Sequence, residues 1–375
     1  MYKAFINATV FTGGEMVSGK VVLIRNSRIE ALTENKSIPH EAEIIDCDGA
    51  YLAPGLIDLQ IAGGGGYLFS AKPTAEALQA ISDSITKCGT TGFLIAMPTN
   101  TPEVYHEVIR TAKENRNPAF LGLHFEGPYI SHHRKGAHMK DYIKPPERRE
   151  LEKLLSDAGG VIKMMTVAPE VCTEEIIKLL NDYGVVVAAG HSNATFHEAM
   201  RGFGWGISTT THLFNAMSQM HHRDPGLPGA AFQSETAFAS IIADGLHVDY
   251  NMISIAKKLM KERLFLISDA VEENLAGAYQ HVRRSDRFTL PDGTLSGSLL
   301  SMIKAVKNCV EHVGIPLEEA LRMGSLYPAR VMHFSDRGQI VSGYRADLVV
   351  FNREYNISMV CINGKINKFR NACEK

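Results

Sequence analysis

The middle of the chain alternates short apolar runs with segments of helical periodicity. An uninterrupted apolar run is typical of a buried parallel strand, and its alternation with helices indicates repeated βα units. Helices are predicted at 73–88, 102–116, 146–158, 172–183, 194–202, 251–261 and 299–313. Eight strands are predicted at 51–58, 90–97, 119–125, 161–167, 184–190, 207–211, 237–243 and 264–268. This α/β pattern favours a closed (β/α)₈ TIM-type barrel, with a doubly wound open sheet as the alternative.

The two ends of the chain have the pattern of short antiparallel strands. Asn26-Ser27 and Asn363-Gly364 separate strand-like runs and predict hairpin turns. Because isolated hairpins are only marginally stable, we expect residues 1–50 and 338–375 to form one small β domain. The catalytic barrel is then expected to span residues 51–337.

Composition excludes several classes of protein. The formal net charge of −2 gives no general attraction to nucleic acid or to a membrane surface. No run approaches the about 18 apolar residues of a membrane helix, and no signal peptide is expected at the N-terminus. Scattered cysteines without a Cys-x-x-Cys pair argue against a thiolate zinc site or a disulfide framework, and predict a cytoplasmic protein. They are Cys47, Cys88, Cys172, Cys309, Cys361 and Cys373.

Polar residues follow several predicted strands where each strand ends. Glu126 ends the third run, His191 and His212 follow the fifth and sixth, and Asp269 follows the eighth. Catalytic groups of parallel barrels lie at this end of the strands. Two histidines and one carboxylate are a ligand set of catalytic zinc-type sites, which leave a position for water. One divalent metal ion is therefore expected, zinc first, with iron, cobalt or manganese as alternatives.

Each of these residues also has a structural interpretation. Either histidine could be hydrogen-bonded at a strand end, and Glu126 could form a cap or a salt bridge. The presence of several such groups at one end of the barrel favours the metal site. Asp269 could then take a proton from water and give it to a leaving amine. His247 could donate a hydrogen bond to a carbonyl oxygen. The structural alternative for Asp269 is a cap of the segment that follows it, and the alternative for His247 is an ordinary hydrogen-bonded loop histidine.

Several segments together resemble the amidohydrolase superfamily. They are Pro54-Gly55-Leu56-Ile57-Asp58, Gly338-Gln339-Ile340 and 343–350. More narrowly, the chain is similar to the N-acetylglucosamine-6-phosphate deacetylase family over 124–129, 190–192, 211–217, 244–247 and 268–270. The resemblance covers nearly the whole chain in order. It implies a barrel with a β-sandwich made from both termini, and hydrolysis of the acetamide of an N-acetyl-hexosamine 6-phosphate.

The resemblance also implies a role for individual residues. Glu126, His191 and His212 hold the metal, Asp269 is the general base and then acid, and His247 orients the carbonyl. Members are commonly homodimers in which a loop arginine, here Arg223, reaches the partner subunit's site. On the residues alone, Arg223 and His138 would be solvated surface groups. Sugar-phosphate contacts are implied for Ala137, His138, Asn215, Ala216, Arg223, Leu295, Ser296 and Gly297.

One pair of positions departs from the superfamily. Its members usually carry His-x-His after the first strand, which supplies a second metal position. Here Gln60 and Ala62 occupy those places, and neither an amide nor a methyl group is a good transition-metal ligand. The one-metal subtype is therefore expected, with Gln60 counted among the substrate-binding residues.

Three other functions stay open on sequence. N-acetylgalactosamine 6-phosphate could be the substrate, since the two sugars differ at one hydroxyl whose contacts the sequence does not place. A cyclic-amide hydrolase is the second alternative, and the Asn215-Ala216-Met217 and Arg223 loops argue against it. The third is a non-catalytic barrel that binds sugar phosphate, and the complete set of metal-binding and acid–base residues argues against that.

Overall fold

The computed structural model describes residues 1–369. Cys373 and the end of the predicted C-terminal β segment lie outside the described residues. Eight parallel strands form the central sheet in the order of the sequence. They are Leu56–Ile61, Thr90–Met97, Phe120–Glu126, Ile162–Val167, Val186–Ala189, Thr209–Thr210, Phe238–Ile242 and Leu264–Ile267.

The eighth strand returns to the first. The Asp269 N–H donates to the Gln60 carbonyl at 2.9 Å, and Ile61 forms a parallel bridge with Ala270. The strand order has no reversal, which a doubly wound sheet requires. The predicted (β/α)₈ barrel is confirmed and the open sheet is excluded.

Helices connect the strands, and most begin at the predicted positions. Thr74, Thr101, Thr173 and Thr195 each accept a backbone N–H at a helix start, which satisfies one of the free amides there. The helices that begin at Gly226, Leu317 and Leu326 were not predicted; at Gly226 the sequence Gly-Leu-Pro-Gly has little helical propensity. The helices are Ala75–Thr86, Pro102–Glu114, Arg148–Ala158, Glu174–Asp182, Phe196–Trp205, Gly226–Gln233, Tyr250–Met260, Met302–Asn308, Leu317–Gly324 and Leu326–Val331.

Both termini contribute to a two-sheet β-sandwich, as predicted. One sheet has the strand order Arg28–Thr33, Val21–Arg25, Tyr2–Ile6, Glu43–Asp46. The apolar side chains between the sheets, among them Phe5, Ile24 and Val350, form a single buried cluster. The second sheet has the order Lys365–Lys368, Ile357–Ile362, Leu348–Phe351, Tyr51–Pro54, Thr9–Phe11, Met16–Val17.

The predicted strand 51–58 was wrong, because the structure has two strands there. Tyr51–Pro54 pairs with Leu348–Phe351 in the sandwich, and Leu56–Ile61 begins the barrel. Gly55 separates them in close contact with the barrel, since a Cβ at Gly55 would lie 2.0 Å from the Thr91 hydroxyl oxygen. An unbroken apolar run does not reveal such a change of sheet. The domain limits at 50/51 and 337/338 stay predictions.

Every cysteine among residues 1–369 lies in the interior of the protein. Cys47, Cys172, Cys309 and Cys361 are free and buried. Among residues 1–369, no helix has the length and apolar character needed to cross a membrane.

Candidate active site

Glu126, His191 and His212 meet at the carboxyl ends of the barrel strands. All three side chains are buried, and their ligand atoms lie within 4.8 Å of one another. The two Nε2 atoms are 3.1 Å apart, and Glu126 Oε1 lies 3.3 Å from His212 Nε2 and 3.6 Å from His191 Nε2. Two ligands at about 2.0–2.1 Å from one tetrahedral zinc ion lie about 3.3–3.4 Å apart. The three atoms therefore fit one face of a tetrahedral site.

The second nitrogen of His191 supports this interpretation. His191 Nδ1 is 3.1 Å from the Arg134 carbonyl oxygen, which only a protonated Nδ1 can satisfy, so the Nε2 lone pair faces the cluster. Among the described residues, the buried His212 Nδ1 has no hydrogen-bond partner. Both histidines thus present Nε2 to a common point.

The backbone is strained where the site residues emerge from the barrel. His191, His212 and Asp269 have φ values of 48°, 35° and 50°, in the left-handed region that non-glycine residues rarely adopt. The strained turn at His212 is held by Ser240, whose hydroxyl and carbonyl oxygens accept the N–H groups of residues 212 and 213 at 2.8 Å each. Strain of this kind is typical of functional sites.

Gln60 joins Asp269 to the Glu126–His191–His212 group, called the metal-type cluster below. The Gln60 amide donates to Glu126 Oε1 at 2.9 Å and to Asp269 Oδ1 at 3.0 Å. Burial and the nearby Glu126 charge raise the pKa of Asp269. Burial opposes ionisation of Glu126 as well, but its interactions with the imidazoles of His191 and His212 hold its pKa well below its ordinary value. The two carboxyl groups are therefore tuned in opposite directions, as in many acid–base sites.

His247 is oriented by a neighbouring carboxylate. Its Nδ1 lies 2.6 Å from Asp244 Oδ2, and Asp244 Oδ1 accepts the N–H groups of Leu246 and His247 at 2.9 and 2.8 Å. Although burial raises it, the pKa of Asp244 is held below its ordinary value by the His247 hydrogen bond and charge. An ionised Asp244 accepts a hydrogen bond from His247 Nδ1–H and fixes the orientation of the ring in the cavity wall.

A cavity of about 270 Å³ opens over these groups. The structure brings most of the predicted site residues to its wall. Gln60 and Arg223 are the two predicted residues that do not line it. The predicted residues that line it are Glu126, Ala137, His138, His191, His212, Asn215, Ala216, His247, Asp269, Leu295, Ser296 and Gly297.

Tyr279 and His281 also line the cavity, and the sequence did not predict them. Tyr279 Oη donates to the Thr99 carbonyl oxygen. His281 Nδ1 lies 3.0 Å from Ser296 Oγ, and burial lowers the pKa of His281 to about 4. Both belong to a segment of short strands and turns after the eighth barrel strand, which has neither helical nor strand periodicity to locate it. Their only sequence signal is proximity to the Asp269 motif.

His138 and Arg223 differ, although both were assigned to loops. The Thr99 N–H donates to His138 Nδ1 at 3.2 Å, so this imidazole is neutral with its proton on Nε2, and burial lowers its pKa well below the ordinary value. Arg223 is exposed in a turn closed by hydrogen bonds between His221 and Asp224. The surface interpretation was wrong for His138, whereas Arg223 does lie at the surface of this chain.

The comparisons with known proteins agree with this arrangement. Residues 51–367 match the model of the amidohydrolase family. An N-acetylglucosamine-6-phosphate deacetylase from Haemophilus influenzae is 33% identical over 97% of this chain and 99% of its own length. An N-acetylgalactosamine-6-phosphate deacetylase from Shewanella sp. is 32% identical over 84% of this chain and 82% of its own length.

Solved structures extend the likeness to the fold. An N-acetylglucosamine-6-phosphate deacetylase from Pasteurella multocida superposes with a TM-score of 0.95 at 33% identity, covering 98% of this chain and all of the other. A Mycobacterium smegmatis deacetylase variant in complex with N-acetyl-D-glucosamine-6-phosphate superposes with a TM-score of 0.91 at 27% identity, covering 97% and 99% of the two chains.

Proposed function

The chain belongs to the amidohydrolase family, and we propose that it hydrolyses the acetamide of N-acetylglucosamine 6-phosphate to acetate and glucosamine 6-phosphate. Water adds to the carbonyl carbon, the C–N bond breaks, and the amine leaves with a proton. The observation that carries the proposal is the buried Glu126–His191–His212 cluster facing Asp269 across one cavity. Relatives with this activity match nearly the full chain.

Glu126, His191 and His212 would hold one divalent metal ion. Their spacing and the outward-turned Nδ1 of His191 fit such an ion, and zinc is the first choice for this ligand set, ahead of iron, cobalt and manganese. When bound, the ion supplies Lewis-acid polarisation of a carbonyl and lowers the pKa of water. Gln60 and Ala62 offer no ligand set for a second ion, so one ion per chain is proposed.

Asp269 moves the proton. It lies opposite the metal-type cluster, and Gln60 fixes its Oδ1, which leaves Oδ2 for the water and the amide nitrogen. Asp269 takes the proton that the attacking water loses and gives it to the nitrogen as the C–N bond breaks. Burial and the Glu126 charge, which raise the pKa of Asp269, favour the first of these steps, the uptake of the proton.

His247 binds the carbonyl oxygen. In its doubly protonated form, with Nδ1–H donated to Asp244, His247 would donate its Nε2–H to the oxygen on which negative charge develops. A donor aimed at that oxygen in a buried site accelerates acyl transfer without having to reorganise.

The sugar phosphate occupies the rest of the cavity. His138 Nε2–H and the polar groups of Asn215 and Ser296 are available to its hydroxyl and phosphate oxygens. None of the described residues that line the cavity is a lysine or an arginine, although a phosphate is best met by a fixed cation. We propose that the chain forms a homodimer and that Arg223 of the partner subunit supplies this cation.

One other substrate and one other function are weighed against this proposal. N-acetylgalactosamine 6-phosphate is the second candidate, because a relative named for it is 32% identical. A sensor that binds without hydrolysis would have no use for the Asp244–His247 pair or for Asp269. A cytoplasmic location stays a prediction.

Metal analysis combined with acetate release tests the proposal. Purified protein is assayed with the two epimeric sugar phosphates, and its bound metals are quantified. We expect about one divalent ion per chain and a higher kcat/KM on N-acetylglucosamine 6-phosphate. Preference for the galactosamine epimer would change the substrate, and metal-loaded protein that binds either sugar without releasing acetate would favour the sensor.

A further inference from the structure

One corner of the cavity wall is apolar, unlike the rest. Strands three, five, six, seven and eight, or the turns after them, contribute ionisable groups, whereas the first two strands and the turns after them contribute four apolar side chains and Ser70. This corner also includes Val271, which follows Asp269 by two residues. Its apolar members are Ala62, Leu68, Ala96, Pro98 and Val271.

The corner lies next to the reacting groups. Ile61 pairs with Ala270 in parallel, so Gln60 runs beside Asp269 and Ala62 beside Val271. The Gln60 and Asp269 side chains meet at 3.0 Å. Ala62 and Val271 each follow one of these two residues by two positions and line the same cavity as Asp269, so the corner adjoins the Gln60–Asp269 pair.

The shape of the corner is fixed by its surroundings. Val271 and Leu68 are buried in one cluster with Tyr279 and Phe288, against which Ala62 packs. The Ala62 N–H donates to the Ala270 carbonyl at 2.8 Å. Gly297 approaches so closely that a Cβ there would lie 2.5 Å from Val271 Cγ1. The corner cannot widen or close without moving several buried groups.

We infer that the Ala62–Val271 corner holds the acyl group of the substrate and determines which acyl lengths are hydrolysed. The inference rests on the proposed function. A carbonyl carbon within reach of Asp269 and His247 has two substituents besides its oxygen. The amino sugar needs hydrogen-bonding partners, which His138, Asn215 and Ser296 provide. The acyl methyl is apolar, and the apolar wall nearest Asp269 is this corner.

A series of acyl lengths tests the inference with one assay. N-acetyl, N-propionyl and N-butyryl glucosamine 6-phosphate all release the same amine, so its appearance measures kcat/KM for each. Ala62→Val narrows the corner and should lower the propionyl-to-acetyl ratio of kcat/KM about tenfold or more, the usual discrimination of one methylene in an apolar pocket. Val271→Ala widens the corner and should raise the same ratio.

A control variant and an alternative narrowing variant complete the test. Ser296→Ala, on the sugar side, should lower kcat/KM by the same factor for every acyl length. If Ala62→Val does not fold, as judged by circular dichroism and metal content, Val271→Ile is the narrowing variant. Opposite shifts of the ratio in the narrowing and widening variants support the inference. If the wild-type protein is active and the propionyl-to-acetyl ratio is unchanged in both variants, the inference about the corner is overturned and the proposed function is not. If the wild-type protein is inactive on the acetyl substrate, the proposed function is overturned as well.

Discussion

The two halves of the cavity wall are held in different ways. The strand half comprises Glu126, His191, His212 and Asp269, which lie on a barrel strand or within two residues of a strand end. The first three are buried, Asp269 is half-buried, and Gln60 joins Asp269 to Glu126 through two hydrogen bonds. The loop half comprises Ala137, His138, Asn215, Ala216 and the 279–297 segment, whose residues are fixed mainly by turns and by backbone hydrogen bonds.

The difference separates chemistry from recognition. In the proposed mechanism, strands hold the groups that must keep sub-ångström geometry, whereas loops hold the groups proposed to identify the sugar. Damage to the strand half should therefore lower kcat strongly. Damage to the loop half should mainly raise KM, and the predictions below compare the two halves on that basis.

The largest effect is expected for Asp269→Asn. The amide cannot accept the proton from water or donate it to the nitrogen, so kcat should fall about 10³-fold or more. Metal content should be unchanged, because Asp269 is not one of the clustered ligands. Steady-state kinetics with metal analysis checks this, and a variant with full activity would remove Asp269 from the mechanism.

A smaller loss of kcat is expected for Asp244→Asn. His247 stays in place but loses the acceptor that fixes its ring and tautomer, so kcat should fall up to about 10²-fold. The matched control is His247→Gln alone and combined with Asp244→Asn. If Asp244 acts through His247, the double variant should be no slower than His247→Gln, and additive losses would show an independent role.

Arg223→Ala should act on the loop half and raise KM about tenfold or more, through loss of charge-assisted hydrogen bonds to phosphate. Hybrid dimers identify the subunit served. When Arg223→Ala and Asp269→Asn chains are mixed and allowed to exchange, one site per hybrid regains both residues if the arginine acts on the partner. Activity above the sum of the separate variants is expected, and no gain would place the arginine with its own site.

Tyr279→Phe should have the smallest effect. It removes one hydroxyl that is hydrogen-bonded to Thr99 and leaves the ring in the wall. A change of a few-fold in KM and a loss of about 0.5–1.5 kcal/mol in the free energy of unfolding are expected, with kcat preserved. A large fall of kcat would mean that the loop half contributes to the chemistry and would weaken the division between the halves.

The strand half could be predicted from sequence because its signal is local. Several apolar runs end at a polar residue, and parallel strands bring those residues to one end of the barrel. Glu126, His191, His212 and Asp269 were located in this way, without any knowledge of the loops. The change of sheet at Gly55 was missed, because residues 51–58 are apolar on both sides of it.

The loop half could not be predicted in the same way. His281 and Tyr279 reach the cavity through a segment without periodicity, and only the folded chain shows that they contact Ser296 and Thr99. The environment of His138 was also missed, because its burial depends on Thr99 and His191, which are distant in sequence. Such contacts depend on how the loops close over the barrel.

The most direct test of the account is the metal content of the wild-type protein and of Glu126→Gln, His191→Asn and His212→Asn variants, measured together with acetate release. The account predicts about one divalent ion per wild-type chain, and loss of both the ion and the activity in each variant. Variants that keep a full equivalent of metal, or a chelated metal-free protein that still releases acetate at the wild-type rate, would contradict it.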